Sequence, residues 1–263
     1  MSENDRHTLI LQVLRTRPFA TVRDLQDILQ ASPATIRRDI AKLHGAGQVR
    51  KVFGGIAARE HVPPERLSAR PFGENRMLAV AAKRAIAAEA EKLVSDGDSI
   101  IIHGGSTCQL FAERLARRNV RIFTNSMPLA AMLSQHGSCH LTLSGGDLYR
   151  EPGILFPASG AMPEFYASKF FIGAQAFGPA GSMESNPLIV REAERLLARA
   201  DEVVVLADSS KFKLRARYGL VGLSRIGIVI TDDGIAPEAL RMLDEAGIPV
   251  IVAQVPAEGG DAA

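Results

Sequence analysis

The feature that most constrains this chain is an alternation. From residue 99 onward, short apolar runs ("SIIIH", "VRIFT", "HLTLS", "KFFIGA", "EVVVLA", "IGIVIT", "PVIVA") are separated by longer amphipathic stretches: "TCQLFAERLA", "MPLAAMLSQ", Pro187 to Ala200 behind Asn186, and Pro237 to Ala246. Apolar runs of this length, rich in Ile and Val, read as buried strands, and the stretches between them carry the helical period. Strands joined by helices pair in parallel, because a parallel neighbour is reached only by a crossover, and helices then cover the sheet. An alanine-rich helix from about Met77 to Val94 is expected to lead in. The predicted class is therefore α/β with a mostly parallel sheet.

Sheets of this kind bind ligands beyond the carboxyl ends of their strands. Four such ends are polar here: "HGGSTC" (His103, Gly104, Gly105, Ser106, Thr107, Cys108), "TNS" (Thr124, Asn125, Ser126), "SGGD" (with Gly145 and Gly146) and "DSSKF" (with Asp208 and Lys211). Glycines let backbone approach a ligand and the hydroxyls offer hydrogen bonds. A helix starting near Thr107 would aim its free N–H groups at the same place. These residues are the candidate cradle for a phosphate or polyol, with Lys211 as countercharge. A single Gly-Gly-Ser-Thr turn is more often an ordinary strand-to-helix turn; four polar ends in one sheet favour a site.

The first 60 residues follow a different pattern. In "SPATIRRDIAKLHGAGQVRKVFGG", Ser32 is an N-cap and Pro33 a first helical residue. Ile36, Ile40 and Leu43 fall on one stripe, and Ala34, Arg38, Ala41 and Gly45 on the opposite one, flanked by Arg37, Thr35 and Lys42. A small, basic outer face suits a helix that enters a major groove, although a solvated surface helix has a similar look. Its neighbours favour the first reading. "TVRDLQDILQAS" gives a short helix capped by Thr21, "RHTLILQVLRTR" a third helix with Ile10, Val13 and Leu14 inward, and "GAGQVRKVFGGIAAR" a hairpin wing. Thr21, Ser32, Thr35, Arg37, Arg38, Lys42, Arg50 and Lys51 are the candidate DNA contacts.

Charge agrees with this division. The chain holds 31 Lys+Arg and 29 Asp+Glu, a balance that says nothing about nucleic acid. Residues 1–60 contain ten of those bases and six of the acids, a net +4, which leaves −2 for the remainder. "EHVPPERLSARPFGEN", with three prolines and no periodicity, reads as a linker. The expected organisation is a DNA-binding domain over 1–59, a linker over 60–76, a ligand-sensing domain over 77–256 and a tail over 257–263. No apolar run is long enough for a membrane span, the N-terminus is polar, and two cysteines give no disulfide framework, so the cytoplasm is the expected location.

The segments "TVRDLQ…SPATIRRDIAKL…RKVFGG", "IIHGGSTC", "TNSMPLA", "LSGG", "FFIGA", "VVVLADSSKF" and "IGIVITD", in this order, closely resemble the DeoR family of bacterial transcriptional repressors of sugar metabolism. The resemblance implies a winged helix-turn-helix joined to an effector domain similar to ribose-5-phosphate isomerase. It also implies repression of a carbohydrate catabolic operon, double-stranded operator DNA as partner, a homo-oligomer of dimer or tetramer size, and release by a phosphorylated sugar or sugar acid. No cofactor, metal or membrane partner is implied.

The alternative from another class is a sugar-phosphate isomerase with a DNA-binding arm. The isomerases carry an Asp-Gly-Ala-Asp-Glu type run after the strand corresponding to "KFFIGAQAF", where carboxylates abstract a proton; this chain has Gln175 and Ala176 there, so no catalytic residue is assigned. Three positions depart from the family pattern: Ser168 for a common aspartate, Ala176 for a glycine and Cys108 for a threonine. They bear on the shape of the sugar pocket. Cys108 is expected to be a buried thiol rather than a reactive thiolate. The cluster of His136, Cys139 and His140 lacks a second ligand pair and is not assigned to a metal.

Overall fold

The computed structural model describes residues 3–16, 19–52, 55–58, 72–157 and 164–256. The chain divides into two compact units, Met1–Pro64 and Glu65–Ala263.

The first unit contains α1 (Glu3–Thr16), β1 (Phe19–Thr21), α2 (Val22–Leu29), α3 (Pro33–Gly45), β2 (Val49–Val52) and β3 (Gly55–Ala58). Its core is Ile10 and Leu14 of α1, Leu25 and Leu29 of α2, Ile36, Ile40 and Leu43 of α3, with Val49 and Ile56 from the wing. The α3 stripe is inward as its spacing requires, with Asp39 added to it as a buried charge. Gln30, at φ +49°, turns the chain between α2 and α3. The wing is a three-stranded antiparallel sheet, ordered β1-β3-β2. Thr21, expected as a helix cap, ends β1, where it pairs with Gly55, and stands immediately before the first residue of α2. The β-rich "FAT" immediately before α2 lets the chain join the wing before it turns into the helix.

The second unit opens with α4 (Phe72–Arg76) and α5 (Val80–Glu91). The stretch read as linker therefore ends in a helical turn, while 59–71 lie outside the described residues. The alanine-rich helix is also shorter than its periodicity suggests, because Ala79 stands in the left-handed region (φ +49°) and separates Met77 and Leu78 from α5.

The sheet elements follow: β4 (Ser99–Ile102), α6 (Ser106–Leu115), β5 (Arg121–Thr124), α7 (Met127–His136), β6 (His140–Leu143), β7 (Asp147–Tyr149), β8 (Ile154–Phe156) and β9 (Ala167–Gly173). After them come β10 (Ala176–Gly178), β11 (Gly181–Glu184), α8 (Pro187–Leu197), β12 (Ala200–Leu206), β13 (Tyr218–Val221), β14 (Ile228–Asp232), α9 (Pro237–Glu245) and β15 (Val250–Ala253). Seven strands form one wholly parallel sheet, ordered β15-β14-β12-β9-β4-β5-β6.

Successive residues of each central strand bury on opposite faces. Ile100, Ile102, Phe171 and Val204 pack with Ile86, Phe111 and Leu133 from α5, α6 and α7. Ile101, Phe170, Ile172 and Val203 pack with Ala193, Leu196 and Leu243 from α8 and α9. The chain runs outward from β4 to β6, then returns to β4's other side as β9, so the order reverses between β4 and β9. A crevice is expected at that point. Two antiparallel pieces not foreseen from the alternation flank it: the β7–β8 hairpin and a small sheet ordered β10-β11-β13. Their strands are three or four residues long, too short to show a period.

Candidate functional site

At the reversal between β4 and β9 lies a cavity of about 360 Å3. Its floor is the loop after β4 (His103, Gly104, Gly105, Ser106, Thr107) and the end of β9 with its following residues (Gly173, Ala174, Gln175). The β7–β8 hairpin contributes Tyr149, Glu151 and Ile154, the small sheet Glu184 and Leu220, and the 3-10 turn Ser209–Lys213 contributes Lys211. Gly104 allows the hairpin to close over the loop, since a Cβ there would lie 2.2 Å from Ile154 Cδ1. Gly105 occupies the N-cap of α6 and offers no capping side chain. The first-turn N–H groups of α6 consequently end at the cavity with the positive end of the helix dipole.

The charges around this floor are few and shared. Lys211 Nζ is 4.0 Å from Asp208 Oδ2. Asp208 is itself the cap of its 3-10 turn, with Oδ1 accepting from the Ser210 N–H at 3.2 Å and from the Ser210 hydroxyl. A second cation, Lys83 of α5, is 1% exposed and donates to the carbonyl of Asn75, which also lines the cavity. Burial pushes the Lys83 ammonium down to about 8, with Asp208 opposing and the Lys211 charge adding to the fall. Glu184 accepts at Oε1 from the backbone N–H groups of Ser185 (2.7 Å) and Asn186 (3.2 Å). Burial raises its pKa against those hydrogen bonds and the Lys211 charge. His103 is buried, its Nδ1 lies 3.1 Å from the Gly104 carbonyl, and burial drives its pKa down to about 4.

Of the candidate residues read from the sequence, His103, Gly104, Gly105, Ser106, Thr107 and Lys211 come together at this cavity. The others do not line it. Thr124 Oγ1 donates to the Ile102 carbonyl at 2.7 Å and accepts from the Ser126 N–H, which ties β5 to β4. Ser126 caps α7 by accepting from the Leu129 N–H, and Asn125 is fully buried behind it. Gly145 and Gly146 turn the chain into β7 at positive φ, and a Cβ on Gly146 would collide with the Phe156 carbonyl. The β7–β8 hairpin stands between these polar ends and the cavity that their place in the sheet suggests. Cys108 is buried and its thiol is pushed up to about 12 by that burial, the inert form expected. Ser168 is bonded to the Ser99 carbonyl, away from the cavity lining.

Sequence reasoning missed Lys83, Gln175, Glu184 and the hairpin residues. Lys83 left a readable signal: with Ile86, Ala87 and Ala90 it completes the buried stripe of α5, a lysine where the helical period calls for an apolar residue. Gln175, noted in the sequence only as a missing carboxylate, sits in the bend between β9 and β10, and Glu184 ends the four-residue β11, too short to declare itself.

In the first unit, α3 presents Ala34, Arg37, Arg38, Ala41, Lys42 and Gly45 outward. Arg37 and Arg38 have no ion-pair partner among the described residues. Lys42, expected to be free for phosphate, is paired with Glu3 at 2.7 Å on an exposed surface. Ser32 caps α3 by accepting from the Thr35 N–H at 3.2 Å, and its hydroxyl meets that of Thr35 at 2.9 Å. The side chains of Thr21, Arg50 and Lys51 lie outside the described residues.

A winged helix-turn-helix with a basic outward helix, followed by an α/β unit with a polar cavity at its switch point, defines a ligand-responsive DNA-binding regulator. The comparisons with known proteins agree. Residues 6–62 match the DeoR-like helix-turn-helix domain and residues 78–233 the DeoR C terminal sensor domain. The HTH-type transcriptional regulator UlaR of Shigella dysenteriae serotype 1 (strain Sd197) is 30% identical over 95% of this chain and 99% of its own. The UlaR regulator of Escherichia coli O1:K1 / APEC matches with the same identity and coverage. The chain belongs to the DeoR family of transcriptional regulators. Among solved structures, ribose 5-phosphate isomerase A of Methanocaldococcus jannaschii is similar at 23% identity and TM-score 0.38, over 49% of this chain and 52% of that one. Chaetomium thermophilum eIF2B delta is similar at 18% identity and TM-score 0.39, over 52% and 50%. No helix among the described residues is long and apolar enough to cross a membrane.

Proposed function

We propose that this regulator is a cytoplasmic repressor of a carbohydrate catabolic operon, bound to operator DNA as a homo-oligomer and released by a phosphorylated sugar or sugar acid. Thr35, Arg37 and Arg38 meet the DNA at base edges and phosphates, with Ser32 setting the helix start and Thr21, Lys42, Arg50 and Lys51 on the backbone. Lys42 exchanges the exposed Glu3 for a phosphate, a small loss because a surface ion pair contributes little. The single observation that carries the effector reading is the uncapped N-terminus of α6, open to a cavity that also holds Lys211, with buried Lys83 beside it. A dianionic phosphate is the group that such N–H donors and ammonium groups hold best.

The test is a thermal-shift panel of sugar phosphates and their free sugars, followed by electrophoretic mobility shift with operator DNA. Phosphorylated compounds are expected to raise Tm and release DNA. If free sugars prove the tighter ligands, the phosphate reading fails.

A second reading rests on Glu184, a buried carboxylate with a raised pKa that lines the same cavity. A general base has those properties. The regulator reading holds that Glu184 binds and does not turn over. Incubating purified protein with aldose phosphates and following ketose formation separates the two.

A further inference from the structure

The helix α4 is weakly built for its place in the chain. It has five residues, none of them buried, and a helix of that length does not persist on its own. It lies between the two matched domains, 6–62 and 78–233, and Ala79 at φ +49° separates it from α5. Met77 and Leu78, which follow it, are 78% and 40% exposed. Apolar burial, which holds most short helices in place, therefore contributes little to holding this one.

Two hydrogen bonds tie α4 to the second unit, and both come from the surroundings of the cavity. The Phe72 N–H donates to Glu151 Oε1, on the turn of the β7–β8 hairpin, at 2.6 Å. The Asn75 carbonyl accepts from the ammonium of Lys83, which is buried. Phe72, Asn75 and Glu151 all line the cavity. Burial lowers the Lys83 pKa to about 8, so near neutral pH the group keeps its proton, and a buried ammonium that loses a carbonyl acceptor is costly. Lys83 is the stronger anchor; the Glu151 bond is on an exposed surface and is the weaker.

A molecule that fills the cavity touches α4 only while α4 is docked, because Phe72 and Asn75 are part of the wall. A ligand shifts an equilibrium toward the arrangement in which it makes the better contacts, so occupancy favours docked α4. We infer that α4 is a strap, docked by Lys83 and Glu151 as positioning residues, whose docked state is the effector-bound form that releases DNA and whose undocked state belongs to the DNA-bound form. This rests on the reading that a phosphorylated compound in the cavity releases DNA, and it names the element that answers to the cavity on the side where the chain leads back to the N-terminal unit.

The experiment follows amide hydrogen exchange over 72–78 in the full chain by mass spectrometry. Without ligand, K83M is expected to speed that exchange about tenfold and E151A about threefold relative to wild type. E151Q keeps an oxygen for the Phe72 N–H and is expected to match wild type, whereas a role of the charge alone would move it as far as E151A. A pentose or hexose monophosphate that raises the wild-type Tm is expected to slow exchange over 72–78 about tenfold, and inorganic phosphate, which fills less of the cavity, to slow it less. K83M and E151A are also expected to bind operator DNA more tightly than wild type without ligand, an effect that a residue serving only as a ligand contact would not give. Ligand-free exchange unchanged in both variants overturns the strap. So does a sugar monophosphate that raises Tm and releases DNA while 72–78 exchanges as before. Operator affinity unchanged in both variants overturns the link between α4 and DNA. If no phosphorylated compound raises Tm while the ligand-free variants behave as expected, the phosphate reading fails and the strap stands.

Discussion

Arg6 and Asp39 join α1 to the basic helix α3: Nε of Arg6 lies 2.7 Å from Oδ2 of Asp39 and Nη2 lies 3.1 Å from Oδ1. His7 Nε2 approaches the same carboxylate at 3.2 Å. Asp39 thus fixes the helix from its inner side while its neighbours Arg37 and Arg38 face outward.

That relationship yields the first prediction. Burial alone would raise the Asp39 pKa, but hydrogen bonds and charge from Arg6, with His7 adding to them, hold it below the usual carboxylate value. A depressed folded-state pKa means stability present above the unfolded value near 3.8 and lost as pH falls through the folded one. Asp39→Ala is expected to destabilise the N-terminal unit by about 1–3 kcal/mol at neutral pH. Urea titrations followed by circular dichroism would show it. Stability equal to wild type at pH 7 would mean that the bond does not hold α3 in place.

The second prediction concerns the outward side of the same helix. Arg38→Ala is expected to weaken operator binding by about 1–3 kcal/mol and to relax the preference for operator over random DNA, while melting is unchanged. Lys51→Ala is expected to weaken both DNAs alike and to reduce the salt slope by about one. Mobility-shift titrations at two salt concentrations distinguish the cases. An Arg38→Ala protein with unaltered affinity would remove α3 from the groove.

How far the sequence alone reaches can be judged from such residues. The α3 stripe and its Ser32 cap, the seven parallel strands and the Asn186 cap of α8 were all legible, because each rests on a period or on a local hydrogen bond. The cavity was half legible. His103 to Thr107 and Lys211 meet there because strand ends of a parallel sheet lie on one edge. The hairpin that excludes Thr124 to Ser126, and the small sheet that brings Glu184, are assembled by pairings distant in sequence. Tyr218 pairs with Glu184 across 34 residues, and nothing local announces it.

Lys83 leads to the third prediction. Its folded pKa of about 8 lies below the ordinary 10.5, so between those values the unfolded chain binds more protons and stability rises with pH. Below pH 8 the buried charge costs about 3 kcal/mol at 1.36 kcal/mol per pH unit of displacement. Lys83→Met, similar in volume and uncharged, is expected to raise the apo melting temperature at pH 7 and to flatten the rise between pH 8 and 10. The variant is also expected to lose the thermal shift given by a sugar phosphate. A more stable protein that responds to effector as before would show Lys83 to be outside the binding site.

The last prediction tests how the cavity controls DNA. A ligand shifts the DNA-binding equilibrium only by its different affinity for the DNA-free and DNA-bound conformations, so weakening its hold must raise the concentration needed for release. Saturating effector at about 100 times its Kd is expected to stabilise the free protein by about 2.7 kcal/mol. Lys211→Ala removes a cation at the cavity, and Ser106→Ala removes a hydroxyl from the first turn of α6 without altering its N–H groups. Both variants are expected to bind operator as the wild type does, since neither residue lies in the N-terminal unit. Both are expected to need tenfold or more additional sugar phosphate before the DNA is released, with Lys211→Ala the more severe because it loses a charge-assisted contact. Titrating the phosphate into preformed complexes gives the midpoints. Identical midpoints for wild type and Lys211→Ala would place the anion elsewhere, and loss of operator binding in the absence of ligand would mean that the cavity supports the DNA-bound form directly.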